Sequence, residues 1–305
     1  MRKVETWMAV SFLYVSAIHF FIARETLSPM EKWLKNKFRK EEYINMITST
    51  SNQQIKKIIQ LAKKGKVRRE EDVFLVEGLR MYQEAPQEKI VKTYVSESFW
   101  KREQKRFQDK EIEIVEDRIF QNASDTITPQ GILSIVRQYH YQMEEFWKKE
   151  NPFFLVLENI QDPGNMGTIF RTAEGAGVDG IFLSKDCVDI YNPKVIRSTM
   201  GSIYRMPFLY TDCVTDLVTQ LQNKKVRVFA AHLKGEKNYD QENYLSGTAF
   251  LIGNEGNGLT EELAQKADCY IKIPMAGKVE SLNAAVAASI LMYEVSRQRR
   301  GRREI

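Results

Sequence analysis

From residue 153 onward, short apolar runs alternate with stretches of helical period. FFLVLE (153–158), GIFLS (180–184), RVFAA (227–231), AFLIG (249–253) and CYIKIP (269–274) are each bounded by turn signals. Helical stretches are predicted between them at 166–176, 193–200, 212–222 and 259–267, and a long one runs from 281 to about 298. Near-continuous apolar strands alternating with helices predict a parallel sheet covered on both faces. Ligands of such sheets sit beyond the carboxyl ends of the strands, which directs attention to the loops there.

The preceding stretch has a different grain. Residues 52–64, NQQIKKIIQLAKK, place Ile55, Ile58, Ile59 and Ala62 on one helical face and lysines on the other. VFLVEG (73–78) reads as a short buried strand ended by a glycine, and LRMYQEA as the helix after it. KTYVSES and IEIVED are predicted as further strands, with GILSIVRQ (131–138) closing the unit. The predicted organisation is an N-terminal extension at 1–45, a small α/β domain at 46–138, a linker at 139–152 and an α/β domain at 153–305.

The extension holds WMAVSFLYVSAIHFFIA (7–23), a marginal transmembrane or signal-anchor candidate at the short end of what spans a bilayer. Were it inserted, the basic residues after it would keep the rest of the chain in the cytoplasm. Met46 opens MITSTSNQQIKK, which has the character of a soluble N-terminus. The favoured expectation is a misplaced start upstream of Met46, with no membrane role and a cytoplasmic protein.

Composition narrows the chemistry. Of 305 residues, 45 are Lys or Arg and 40 Asp or Glu, a net +5 that permits a polyanionic partner without demanding one. Cys187, Cys213 and Cys269 form no CxxC pair, and His19, His140 and His232 are scattered, so neither a disulfide framework nor a metal site is expected. Between Lys56 and Arg69 lie seven basic residues and no acidic one. A solvated amphipathic face would account for such a run. The missing counter-charges shift the reading of Lys56, Lys57, Lys63, Lys64, Arg68 and Arg69 towards contact with a phosphate backbone.

Three loops carry polar groups at the expected sheet edge. Gly175-Ala-Gly177-Val-Asp-Gly180 is not one of them. It matches GxGxxG, but it closes a helix and leads into a strand, so it reads as a helix C-cap and turn rather than a nicotinamide site. The first loop, Asn159 to Ala173, follows FFLVLE and opens a helix with Asn165 near its start and Arg171 further along. Helix capping by Asn165 and an ordinary surface arginine compete there with recognition of a phosphate or ribose. The second, Gly253-Asn-Glu255-Gly256-Asn-Gly258, joins a strand to the helix TEELAQKA, the context in which backbone approaches a ligand closely. The third runs from Ile273 to Asn283 through Met275, Ser281 and Leu282. Ser281 suits an N-cap, whereas Asn283 inside a first helical turn is a poor choice for stability alone.

NIQDPGNMGTIFRTA, IGNEGNGL and IPMAGKVESLNAAVAASILMYE together resemble the three signature motifs of the SpoU (TrmH-like) branch of the SPOUT RNA methyltransferases. The resemblance covers about 150–300, and residues 50–138 are similar to the family's small L30e-like substrate-binding domain. It implies a SPOUT fold, a parallel sheet flanked by helices with a C-terminal trefoil knot, and a homodimer. The implied activity is S-adenosyl-L-methionine-dependent methylation of a ribose 2′-hydroxyl in structured RNA, with 23S rRNA favoured over tRNA. Motif by motif, Asn165 and Arg171 match the first, Glu255 the second, and Ser281 and Asn283 the third, as catalytic residues. Gly253, Ile273, Met275, Leu282 and Gly258 match cofactor-holding positions, and Arg171 is expected to touch RNA as well. A non-catalytic RNA-binding protein is the competing reading, and failure to bind S-adenosylmethionine would favour it.

Overall fold

A computed structural model describes residues 46–107, 111–233 and 235–301 of the chain. The expectations for residues 1–45 lie outside the described residues. The compact unit considered below is Ser49–Ile305.

Two sheets organise it. The smaller is built from α1 (Gln53–Lys63), α2 (Gly65–Glu70), β1 (Val73–Glu77), α3 (Leu79–Glu84), β2 (Ile90–Ser96), α4 (Glu97–Glu103), β3 (Ile112–Val115), α5 (Asp117–Ala123) and β4 (Ile132–Arg137). Its strand order is β1-β4-β2-β3, with β4 antiparallel to both neighbours and β2 parallel to β3. α1 buries Ile55, Ile58 and Leu61, whereas Ile59 and Ala62 are only half-buried, so the seam lies one position round from the predicted face. Asn52 starts the helix by accepting from the Gln54 amide. α4 and α5 escape a reading by apolar period because each is barely two turns long and follows a strand directly.

The larger sheet continues the chain with β5 (Phe153–Leu157), α6 (Pro163–Ala176), β6 (Gly180–Ser184), α7 (Pro193–Thr199), β7 (Phe208–Thr211), α8 (Val214–Asn223) and β8 (Arg227–Ala231). After these come β9 (Lys237–Asn238), β10 (Thr248–Ile252), α9 (Glu261–Ala264), β11 (Cys269–Lys272) and α10 (Ala284–Gly301). Its order is β7-β6-β5-β10-β8-β11-β9, with every described pairing parallel. The doubly covered parallel sheet expected from the strand pattern is therefore present. β5 shows why its sequence is apolar throughout: Phe153, Leu155 and Leu157 enter one core, Phe154 and Val156 the other. β7 and β9 were not legible. Both are edge strands, and FLYT is only partly buried.

α6 begins with Asp162 accepting from the Asn165 amide at 2.7 Å and with Pro163 in the first turn. It ends at Gly177 with φ +82°, the left-handed cap read from the sequence. The segment 139–152, expected as a linker, is packed rather than free. Phe146 is buried against Phe182 and Phe154, and a Cβ on Gly180 would lie 2.3 Å from the Phe146 ring.

The small domain is docked directly on the large one. Phe74, Val76, Met81 and Val136 belong to the same apolar core as Ile196 and Tyr204. Around that core, Arg68 meets Asp189, Arg197 meets Asp125, Arg205 meets Glu84, and the Tyr204 hydroxyl donates to the Met81 carbonyl at 2.9 Å.

Candidate active site

The carboxyl ends of β5, β10, β8 and β11 share one edge, and the three loops singled out from the sequence leave the sheet there. Residues 252–259, 271–273, 275 and 280–282 are among those lining a cleft of about 350 Å³, within the ~300–1,000 Å³ usual for small-molecule sites. Gly253, Gly258, Ile273, Met275 and Leu282 all line it, together with Glu255 and Ser281. Ile252, Leu259 and Ile271 give it an apolar floor.

The 253–258 loop folds back on itself. Asn254 and Gly258 exchange backbone hydrogen bonds of 3.0 and 2.9 Å, and the Asn254 Oδ1 accepts from the Gly256 and Asn257 amides. A Cβ on Gly253 would sit 2.2 Å from Gly258 C and Leu259 N, so no side chain fits there. Two clamps hold this loop to the end of β5. Asn254 Nδ2 donates to the Asn159 carbonyl at 2.8 Å. The buried Glu158 carboxylate accepts from both the Thr260 amide and its hydroxyl at 2.7 Å. Asn159 adopts φ +55°, and its amide and Oδ1 are both engaged by Ser184 Oγ at 3.0 Å.

A polar chain joins the three motifs. Asn165 Nδ2 donates to Glu255 Oε1 at 2.9 Å, and Asn165 Oδ1 accepts from Asn283 Nδ2 at 2.9 Å. Glu255 also accepts from the Asp162 and Gln161 amides. Desolvation pushes the Glu255 pKa up, but the hydrogen bond from Asn165 and the backbone amides outweigh it and hold it below the usual carboxylate range. At neutral pH Glu255 is thus an anion that only accepts, which forces the nitrogen side of the Asn165 amide towards it.

Two capping expectations change. α10 begins at Ala284, later than predicted, because Asn283 Oδ1 accepts from the Ala285 and Val286 amides. The N-cap is Asn283 rather than Ser281, and Asn283 still has its Nδ2 free for Asn165. Ser281 is exposed beside the cleft and makes no side-chain hydrogen bond among the described residues. Asn165 does not cap α6, since Asp162 does. Arg171 stands outside the hydrogen-bonded chain, exposed and without an ion pair among the described residues.

The basic run divides. Lys56, Lys63, Lys64 and Arg69 are exposed and unpaired among the described residues, while Lys57 pairs with Glu71. Arg68 is a correction to the expected phosphate contacts. It is 3% exposed, donates to the Leu61 and Ala62 carbonyls, and grips Asp189 through Nε at 3.1 Å and Nη2 at 2.6 Å. Burial has made it a clamp between the two sheets. Asn159 and Asn254 lie inside the first two motifs but were given no role there, and Glu158 lies just outside. Its only sequence signal is a charged residue directly abutting a fully apolar strand.

Among the described residues no group of His, Cys, Asp and Glu is placed to hold a metal ion, and no helix is long and apolar enough to cross a membrane.

Comparison with known proteins matches this architecture. The SpoU rRNA Methylase family profile matches residues 152–293, and that of the MRM3-like substrate binding domain residues 52–134. An uncharacterized tRNA/rRNA methyltransferase of Synechocystis is 31% identical over 84% of this chain and 94% of its own length. The 23S rRNA (guanosine(2553)-2′-O)-methyltransferase RlmP of Bacillus subtilis is 31% identical over 83% of this chain and 99% of its own. The crystal structure of an AdoMet-bound rRNA methyltransferase from Sinorhizobium meliloti superposes with a TM-score of 0.71 at 28% identity, covering 83% of this chain and 97% of that one.

Proposed function

This chain belongs to the SpoU family of RNA methyltransferases, and from that premise we propose how its residues divide the work and which RNA they take. The enzyme transfers a methyl group from S-adenosylmethionine to a ribose 2′-hydroxyl of RNA. Its favoured substrate is 23S rRNA, by likeness to the Bacillus protein. The observation that carries the reading is the Asn283–Asn165–Glu255 chain, in which three distant segments meet at the rim of one cleft.

The cleft suits the cofactor. Gly253 lets the loop fold back closely on Gly258 and Leu259, and an apolar floor lies beneath the exposed loop backbone. Gly253, Gly258, Ile273, Met275 and Leu282 would hold it. When bound, S-adenosylmethionine supplies a methyl group made electrophilic by its sulfonium. The protein's part is position and field.

A ribose hydroxyl is a weak acid, so its proton needs an acceptor as it attacks. Glu255 is a poor one: its pKa is depressed, away from the operating pH at which a general base works best. Its role is to fix the polarity of the Asn165 amide. Asn165, with both ends of its amide engaged, orients the sugar. Arg171 carries a delocalised guanidinium that serves as a fixed cation and hydrogen-bond donor rather than as a base. It binds the neighbouring phosphate and stabilises charge developing on the ribose oxygen. The proton passes to a phosphate oxygen, either directly or with the Ser281 hydroxyl relaying it by donating its own proton onward.

The finer architecture follows the family. β10 lies between β5 and β8 although it comes after both, an insertion that supports a trefoil knot. An exposed apolar stripe on α10 and the loop before it, Val279, Val286 and Tyr293, supports a homodimer. The small mixed sheet acts as the L30e-like RNA-binding domain, and the site of work is the cytoplasm.

Mapping ribose methylation in RNA from a deletion strain against wild type tests this. One 23S rRNA 2′-O-methyl group should disappear. Loss of none, or of a tRNA mark instead, would overturn the assignment of substrate. Absence of S-adenosylmethionine binding in calorimetry would return the chain to a non-catalytic RNA binder.

A further inference from the structure

α7 lies between the basic helices of the small domain and the active-site helix. One flank of α7 turns Pro193, Ile196 and Arg197 towards Ala62 and Leu75 of the small domain. Its other flank is pressed on α6, where a Cβ at Gly167 would lie 2.3 Å from Ser198 Cβ and 2.8 Å from the Val195 carbonyl. At about 100° per residue, Lys194 falls on the solvent ridge between the two flanks. It is exposed and has no ion pair among the described residues. On α6, Arg171 stands one turn beyond Gly167, on the outward ridge next to α7.

Two carboxylates near α7 are taken by cations, Asp125 by Arg197 at 3.2 Å and Asp189 by Arg68 at 2.6 Å. Glu77, on the flank facing the small domain, is turned to the Ser124 and Thr126 hydroxyls instead, away from the Lys194 ridge. At its far end α1 offers Lys63 and Lys64, likewise exposed and unpaired among the described residues. The domain contacts flanking α7 fix the spacing between these groups, so the series is set by the fold and not by a tether.

We propose that Lys194 is a phosphate contact of the RNA substrate, and that the ridge of α7 carries the RNA backbone from Lys63 and Lys64 to the ribose beside Arg171. The inference rests on the reading of Arg171 given above and adds a substrate-positioning residue that no motif contains. A polyanionic strand is the partner that suits several unpaired cations spaced across two domains.

The test uses the full chain, a 23S rRNA transcript, filter binding at several KCl concentrations and transfer of tritiated methyl groups. Removing one phosphate contact reduces the slope of log affinity against log salt by about one, and weakens binding about fivefold near physiological salt. Lys194→Ala is expected to show both, with the loss in kcat/KM carried by KM for RNA and calorimetric affinity for S-adenosylmethionine unchanged. Lys194→Arg should restore the slope and KM. Lys148→Ala, beyond the opposite edge of the sheet, should change neither. A Lys194→Ala enzyme with the wild-type slope and KM overturns the proposal while leaving the proposed function intact. A wild-type protein that methylates no RNA overturns both.

Discussion

The carboxyl edge of the large sheet and the α1–α2 helix pair handle polar side chains in opposite ways. At the sheet edge Glu158, Asn159, Asn165, Asn254, Glu255 and Asn283 are all engaged with one another or with backbone. On the helix pair Lys56, Lys63, Lys64 and Arg69 point into solvent unpaired, while Arg68, their neighbour in sequence, is buried and fully bonded. Engaged polar groups define a geometry, which transfer of a methyl group requires. Unengaged charges define only a field, which suffices to gather a polyanion. Arg68 shows that residue type does not decide between these roles, since burial does.

The sharpest break in the comparison comes from Gly253→Ala. Its Cβ would strike the backbone of Gly258 and Leu259. The expected outcome is complete loss of S-adenosylmethionine binding in calorimetry with the circular dichroism spectrum largely retained. Near-native affinity would mean that the loop does not form the cofactor site.

Next in size is Arg68→Ala. Cutting one partner from a buried pair costs about 3–5 kcal/mol, so chemical denaturation should show a large loss of stability. Lys56→Ala, twelve residues upstream in the same basic run, should move stability by no more than about 0.5 kcal/mol. Equal effects from the two would erase the distinction between clamp and field.

Asn165→Ala removes the hub of the polar chain and should lower kcat by about 10²-fold or more, with little change in cofactor affinity. Arg171→Lys keeps the charge and should retain part of the activity if Arg171 acts through charge. Complete loss with intact RNA binding would instead assign the role to the shape of the guanidinium.

The acid limb of the pH profile is a smaller effect. Because the Glu255 pKa is depressed in the folded enzyme, its contribution is fully present above the ordinary carboxylate value of about 4.3. It disappears as pH falls through the lowered value. Melting temperatures should therefore not vary with pH through Glu255 near neutrality and should fall at acid pH, and Glu255→Gln should flatten that fall. Smallest of all, Lys56→Ala, Lys63→Ala, Lys64→Ala and Arg69→Ala should each reduce the salt slope of RNA binding by about one.

Local pattern determined much of this protein. The unbroken apolar runs of β5, β6, β8 and β10 required a sheet buried on both faces, because only that environment removes every side chain of the strand from water. The glycine loop after β10 and the left-handed cap at Gly177 followed from backbone conformations that few other residues tolerate. Most residues lining the cleft were legible from the second and third motifs, although Ala231, His232 and Leu233 at the end of β8 were not, nor were the contacts among the motifs.

Tertiary structure decided the rest. The strands β7 and β9 exist because a neighbouring strand offers hydrogen bonds to short, half-polar segments. Asn283, not Ser281, became the helix cap, with its amide oxygen on the first turn and its amide nitrogen on Asn165. Arg68 left the solvent because Asp189, 121 residues away in the chain, arrives beside it. None of these outcomes is encoded in a local run of residues. Each depends on which distant group the fold brings near, and so on the dielectric and the bonding partners a side chain finds there.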